Sequence, residues 1–284
     1  MTATTQTMAT TTAAGGANRP AGRRVPVAPV TQRSATISEW VKLSTLRSTW
    51  LTLASAVLGT VAVGSLASWA INAHWASLHP GERATFSPIT QSLTGVYLAQ
   101  LAIGVLGVLV ISGEYATGMI RATFAAVPRR LPVLLAKLVV FAVLTFVATA
   151  LAAFAAFFLG QALLGAHATT ITAPHALRAV FGVALYLTVV GALALGLGFV
   201  VRSTAGGIAA VFGILLVLPA IAHVLPASWQ SNLLPYLPSN AGGALFTMHP
   251  DPDTLAPWTG FAVMCAWAAG ALAAAALLIR HRDA

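Results

Sequence analysis

The chain has 284 residues, of which 58% are hydrophobic and only 7% charged, with a formal net charge of +9. A soluble domain of this length needs roughly a quarter of its residues charged to keep its surface in water, so a soluble globular fold is excluded and an integral membrane protein is expected. The cations flank apolar runs instead of clustering on one face, which is membrane topology and argues against nucleic acid as a partner.

Residues 1–35 are rich in Thr, Ala, Gly and Pro, carry Arg19, Arg23, Arg24 and Arg33, and have no apolar periodicity. A disordered cytoplasmic tail is expected there. The first apolar run begins near Trp50, too late for a cleaved secretory leader, so the first span is expected to be retained. From Thr36 to Thr49, Ile37, Trp40, Val41 and Ser44 recur at helical spacing on one face, while Glu39, Lys42 and Arg47 lie mostly away from it. This pattern predicts an amphipathic helix in the cytoplasmic interface, anchored by Trp40, Lys42, Arg47 and Trp50. The plainer alternative is a cytoplasmic extension of the first span.

Taking about 20 apolar residues as the length that crosses about 30 Å of hydrocarbon, six spans are predicted: 50–71, 93–112, 132–164, 179–201, 206–225 and 257–279. The third is too long for one upright helix. It must tilt, project beyond the membrane, or start late with Lys137 reaching toward the headgroups. Most basic residues fall on one side of a six-span arrangement, and only Arg83 and Arg178 fall on the other. The positive-inside rule then puts both termini in the cytoplasm of a multi-pass plasma-membrane protein.

Little in the spans can do chemistry. No Asp or Glu lies near the middle of any run, which argues against an ion-coupled carrier. His74, His79, His167, His175 and His249 lack the two-His spacing of a metal site and read as solvated or interfacial. His223 is expected to be hydrogen-bonded between helices, and the lone Cys265 excludes an intrachain disulfide. Neither lysine, Lys42 or Lys137, follows a glycine-rich turn, so the chain has no phosphate-binding loop of its own. Gly191, Gly196 and Gly198 read as positions where helices pack closely.

Between spans two and three, Ser112-Gly113 is expected to end the helix, and Glu114 to Phe124 to form a short helix. On it Glu114, Gly118 and Arg121 would share a face, with Pro128 ending it and Arg129-Arg130 at headgroup height. The alternative is an ordinary basic loop that only fixes topology. Between spans five and six, Pro226 to Ala256 holds Trp229, Leu233, Leu234, Tyr236 and Leu237. A connection this apolar is expected to fold back into the outer leaflet or over the bundle, and Pro219 to kink the span ahead of it.

The segment Gly113-Glu114-Tyr115-Ala116-Thr117-Gly118-Met119-Ile120-Arg121-Ala122-Thr123 resembles the Glu-Tyr-x-x-Gly-x-Ile-Arg signature of ABC-2 type permeases, the transmembrane subunits of ATP-binding-cassette exporters. Glu39 to Leu43 and Leu46 to Trp50 are similar to the first helix of that family, and the likeness covers residues from about 36 to 280. It implies an all-α integral membrane protein. Six transmembrane helices would be joined by an N-terminal interface helix, a cytoplasmic coupling helix between spans two and three, and a re-entrant external segment between spans five and six. It further implies that Glu114, Tyr115, Gly118 and Arg121 couple the chain to a separate cytoplasmic ATPase that binds ATP and Mg. This chain would hold no cofactor and would not itself be an enzyme. A second permease copy or a related permease, and membrane lipids, complete the implied partners, and an unidentified, hydrophobic or amphiphilic cargo would be exported. Two other readings stand beside it: a membrane scaffold or regulatory subunit, and an ion-coupled secondary transporter.

Overall fold

A computed structural model describes residues 31–120, 130–248 and 254–281. The predicted tail up to residue 30, Arg121 with the rest of its loop to Arg129, and His249 lie outside the described residues. Every regular element among the described residues is helical. Among the described residues six helices are long and apolar enough to cross a membrane, so the chain has the architecture of a multi-span helical membrane protein.

The first helix, α1, runs Gln32–Thr45, starting earlier than the sequence predicts because Thr31 caps it: its hydroxyl accepts the Ser34 amide at 3.2 Å. Ala35, Glu39 and Leu43 turn inward, while Ile37, Trp40 and Val41 remain exposed. Leu46 is extended and breaks the chain direction before α2 (Arg47–Ala73). The Trp50 indole crosses this break and donates to the Ser44 carbonyl at 2.8 Å.

Short helices α3 (Pro80–Ala84) and α4 (Pro88–Ser92) lead into α5 (Val96–Ala116). Then α6 (Arg130–Leu164) crosses as one uninterrupted helix of 35 residues, about 52 Å long at 1.5 Å per residue. That exceeds the hydrocarbon thickness by a wide margin. The helix is already formed at Arg130, ahead of Lys137, which therefore lies within it.

The most buried helix is α7 (Ala176–Val201), which packs on α5, α6 and the last span. A Cβ on Gly191 would lie 2.5 Å from the Phe141 ring, and one on Gly196 would lie 2.9 Å from the Ala271 backbone. At these small residues the neighbouring helices approach closely. One buried polar contact crosses the same interface: the Tyr186 hydroxyl donates to Gln100 Oε1 at 2.5 Å.

The fifth span, α8 (Thr204–Ala222), is interrupted by a π-helical turn at Gly213–Val217, immediately before Pro219. The missing proline N–H is thus met by a local change of helix type, as expected where a proline enters a membrane helix. Two short helices follow, α9 (Ala227–Leu233) and α10 (Pro238–Gly243), and the chain ends with α11 (Pro257–His281). The Trp267 indole of α11 donates to the Tyr236 carbonyl at 3.0 Å, holding the connection against the last span.

Candidate functional site

The two ends of α5 carry different chemistry, and both are candidate sites. At its C-terminal end the helix does not stop at Ser112-Gly113, as the sequence predicts, but continues through Glu114 and Tyr115 to Ala116. Glu114 therefore does not begin a separate short helix. It belongs to the last turn of a span and points into the protein, with its side chain 10% exposed.

Four charges from three helices meet there. Lys137 Nζ of α6 contacts Glu39 Oε2 at 2.5 Å and Glu114 Oε1 at 3.0 Å. Lys42 Nζ contacts Glu39 Oε1 at 2.9 Å and the same Glu114 Oε1 at 3.2 Å. Two carboxylates alternate with two ammonium groups, so the ring is neutral as a whole. Lys137 and Glu39 are almost wholly withdrawn from solvent, at 2% and 3% exposure. Burial by itself would lower the Lys42 pKa, but the bond to Glu39 and the field of both carboxylates outweigh it, and the pKa is raised. Lys42 stays charged through the physiological range. It sits in the ring with Glu39, whereas Arg47 and Trp40 remain at the surface.

Tyr115, the next residue, faces another way. The guanidinium carbon of Arg202 lies 5.2 Å from its ring centroid, within the range of a cation–π contact. Arg202 is the left-handed cap of α7, and one turn earlier on α5 the Ser112 hydroxyl accepts that of Thr204 at 2.8 Å. Glu114 thus ties α5 to α1 and α6, while Tyr115 and Ser112 tie it to the junction of α7 and α8.

Gly118 sits at the place where the chain must leave the helix. Its φ is +70°, its N–H bonds the Tyr115 carbonyl at 3.2 Å, and apart from its chain neighbours no described residue stands within 4 Å of the position its Cβ would take. The residue is the left-handed stop that follows many helix ends. Gly118→Ala should therefore cost about 1 kcal/mol through backbone strain alone, read as a small fall in thermal stability; a change of several times that size would mean that the position makes contacts of another kind. Of the sequence-predicted coupling residues, Glu114, Tyr115 and Gly118 are brought together at this end, and Arg121 lies outside the described residues. Sequence reasoning missed Lys42 and Lys137 as the partners of Glu114, and Glu39 as the carboxylate that completes the ring.

The N-terminal end of α5 borders a cavity of about 770 Å³. Tyr97 and Gln100 line it from α5, Leu215, Pro219 and His223 from α8, and Gln230 and Asn240 from the two short helices that follow. Gln100 and Glu114 are 14 residues apart on one helix, which separates the cavity from the ion ring by about 21 Å. The His223 ring bonds locally, its Nδ1 lying 2.8 Å from the Pro219 carbonyl, and the bond to another helix is made by its backbone carbonyl, which accepts from Gln230.

Among the described residues no three His, Cys, Asp or Glu side chains come together in a way that could hold a metal ion. His167 instead stacks on Trp75, with ring centroids 3.7 Å apart. No protein-family model matches the chain, and no curated protein matches it.

Proposed function

We propose that this chain is the permease subunit of an ATP-driven exporter of the ABC-2 type, working with a separate cytoplasmic ATPase and a second permease. The observation that carries the reading is the Glu114-Tyr115-x-x-Gly118 segment at the end of α5, a point to which α1, α6, α7 and α8 are all tied. A push on such a junction moves several spans as one body, which is what coupling to a nucleotide-driven partner requires.

Charge favours the same orientation. Lys42, Arg47, Lys137 and Arg202 lie at the ion-ring end of the bundle, and Arg83 and Arg178 at the other. The ring end is then cytoplasmic, and the 770 Å³ cavity faces outward. In this setting α1 lies in the inner interface, with Ile37, Trp40 and Val41 toward lipid and Glu39 toward the protein. The connection through α9 and α10, which carries Trp229, Leu233 and Tyr236, folds back over the outer ends of the spans.

Purification of the tagged chain from its native membrane should bring down a Walker-motif ATPase. Vesicles containing both should move cargo only with hydrolysable ATP. Uphill transport by this chain alone, following an ion gradient, would overturn the reading; stable partner binding without any ATP-dependent movement would assign a scaffold instead.

A further inference from the structure

The cavity at the Gln100 end has a hydrogen-bonding inventory that can be read atom by atom. Gln100 is only 2% exposed, and its Oε1 is taken by the Tyr186 hydroxyl. Its amide nitrogen, a donor of two hydrogens, has no acceptor among the described residues. Gln230 is the reverse case. Its nitrogen donates to the His223 carbonyl at 2.8 Å and the Leu225 carbonyl at 2.7 Å, so both hydrogens are used and Oε1 is left as an acceptor.

Asn240 repeats the Gln100 pattern more weakly, its Oδ1 accepting the Ser239 hydroxyl at 3.4 Å. The His223 Nδ1 must carry its hydrogen toward the Pro219 carbonyl, which can only accept. Between these groups the wall mixes apolar residues such as Leu215 and Leu234 with the hydroxyl residues Ser231, Thr247 and Thr254, and among the described residues no lining side chain is an Asp, Glu, Lys or Arg.

We propose that this cavity binds uncharged molecules that carry both hydrogen-bond donors and acceptors on an apolar frame, and that it discriminates against ions of either sign. A carbonyl or ether oxygen of the ligand meets the Gln100 and Asn240 amides, and a hydroxyl or N–H meets Gln230 Oε1. A charged ligand would leave water for a wall that offers no countercharge among the described residues, which is unfavourable. The volume lies within the range of small-molecule sites, about 300–1,000 Å³. Calling such a molecule the cargo rests on the exporter reading; the binding chemistry does not.

The test uses the full chain in nanodiscs of zwitterionic lipid, with empty discs as the blank. Three probes share one fluorophore: neutral dansylamide, cationic monodansylcadaverine and anionic dansylglycine. Fluorescence anisotropy should give saturable binding of dansylamide, with both ions binding at least about tenfold more weakly. Gln230→Leu and Asn240→Leu should each weaken dansylamide binding about five- to tenfold. Gly243→Leu, where the new Cβ first meets Phe246 Cζ at an ordinary 3.8 Å, should narrow the cavity and weaken binding without disturbing the fold.

Gln100→Leu tests the buried donor directly, and the three other variants keep the proposal testable should it fail to fold. Equal binding of the three probes, a preference for either ion, absence of saturable dansylamide binding, or indifference to all the variants would each overturn the proposal. Retained binding without ATP-driven transport would instead sink the exporter reading and leave this one standing.

Discussion

Lys137→Met is expected to destabilise the protein by about 3–5 kcal/mol, the usual consequence of removing one partner from a buried ion pair. The residue is bonded to both Glu39 and Glu114 and is almost fully buried. Methionine fills a similar volume, so the loss is electrostatic: Glu39 Oε2 is left as an unpaired carboxylate oxygen in a desolvated site. In a chain of this size the change corresponds to a fall of roughly 10 °C in melting temperature. Hydrogen exchange should rise in α1, since Glu39 is the charge through which that helix is bonded to α6. Adding Glu39→Gln should recover much of the loss, because the uncompensated charge is then gone. An unchanged melting temperature and unchanged protection of α1 would show that the ring does not hold the helix in place.

Gly95→Ala should have a comparable effect, about 3 kcal/mol, by a steric route. A Cβ at this position would stand 2.1 Å from the Thr60 carbonyl oxygen and 2.6 Å from its Cα. Both are backbone atoms, so no side-chain rotation can relieve the overlap, and α2 must move away from the start of α5. Gly113→Ala is the contrasting control, in the last turn of α5 with no described residue beyond its own helix and chain neighbours within 4 Å of the new Cβ. It should be neutral or slightly stabilising, by up to about 1 kcal/mol. Thermal unfolding of both variants in nanodiscs checks the contrast, and equal stabilities would mean that α2 yields at Thr60 without loss.

How much of this was legible in the chain depended on the physical range of each signal. The spans are plain, because hydropathy summed over about 20 residues is strong and needs no partner. The end of α5 is not legible in this way, since Ser112-Gly113 followed by a carboxylate looks like a helix leaving the membrane. It continues because Glu114 finds two ammonium groups, and those come from residues 72 positions before it and 23 after. Only the Glu39–Lys42 pair has a spacing that sequence can show.

A fainter signal was present. The chain has six acidic residues and two lysines, and both lysines lie near span ends together with Glu39 and Glu114. Charges so scarce beside so much hydrocarbon have reason to seek one another. The cavity had no counterpart in the sequence reading, because Gln100, Gln230 and Asn240 look like isolated polar residues until the fold brings them to one wall.

The π-helical turn at Gly213–Val217 has a consequence for everything beyond it. Each residue advances an α-helix by about 100°, and a π turn holds one residue more than the α pattern would use. The end of α8 is therefore phased differently from its beginning. That offset lets Leu215, Pro219 and His223 border the cavity, while Gly207 and Val211 nearer the start of the span pack into the bundle. One surplus amino acid acts as a rotary joint, dividing a single membrane crossing into a half that serves packing and a half that serves recognition.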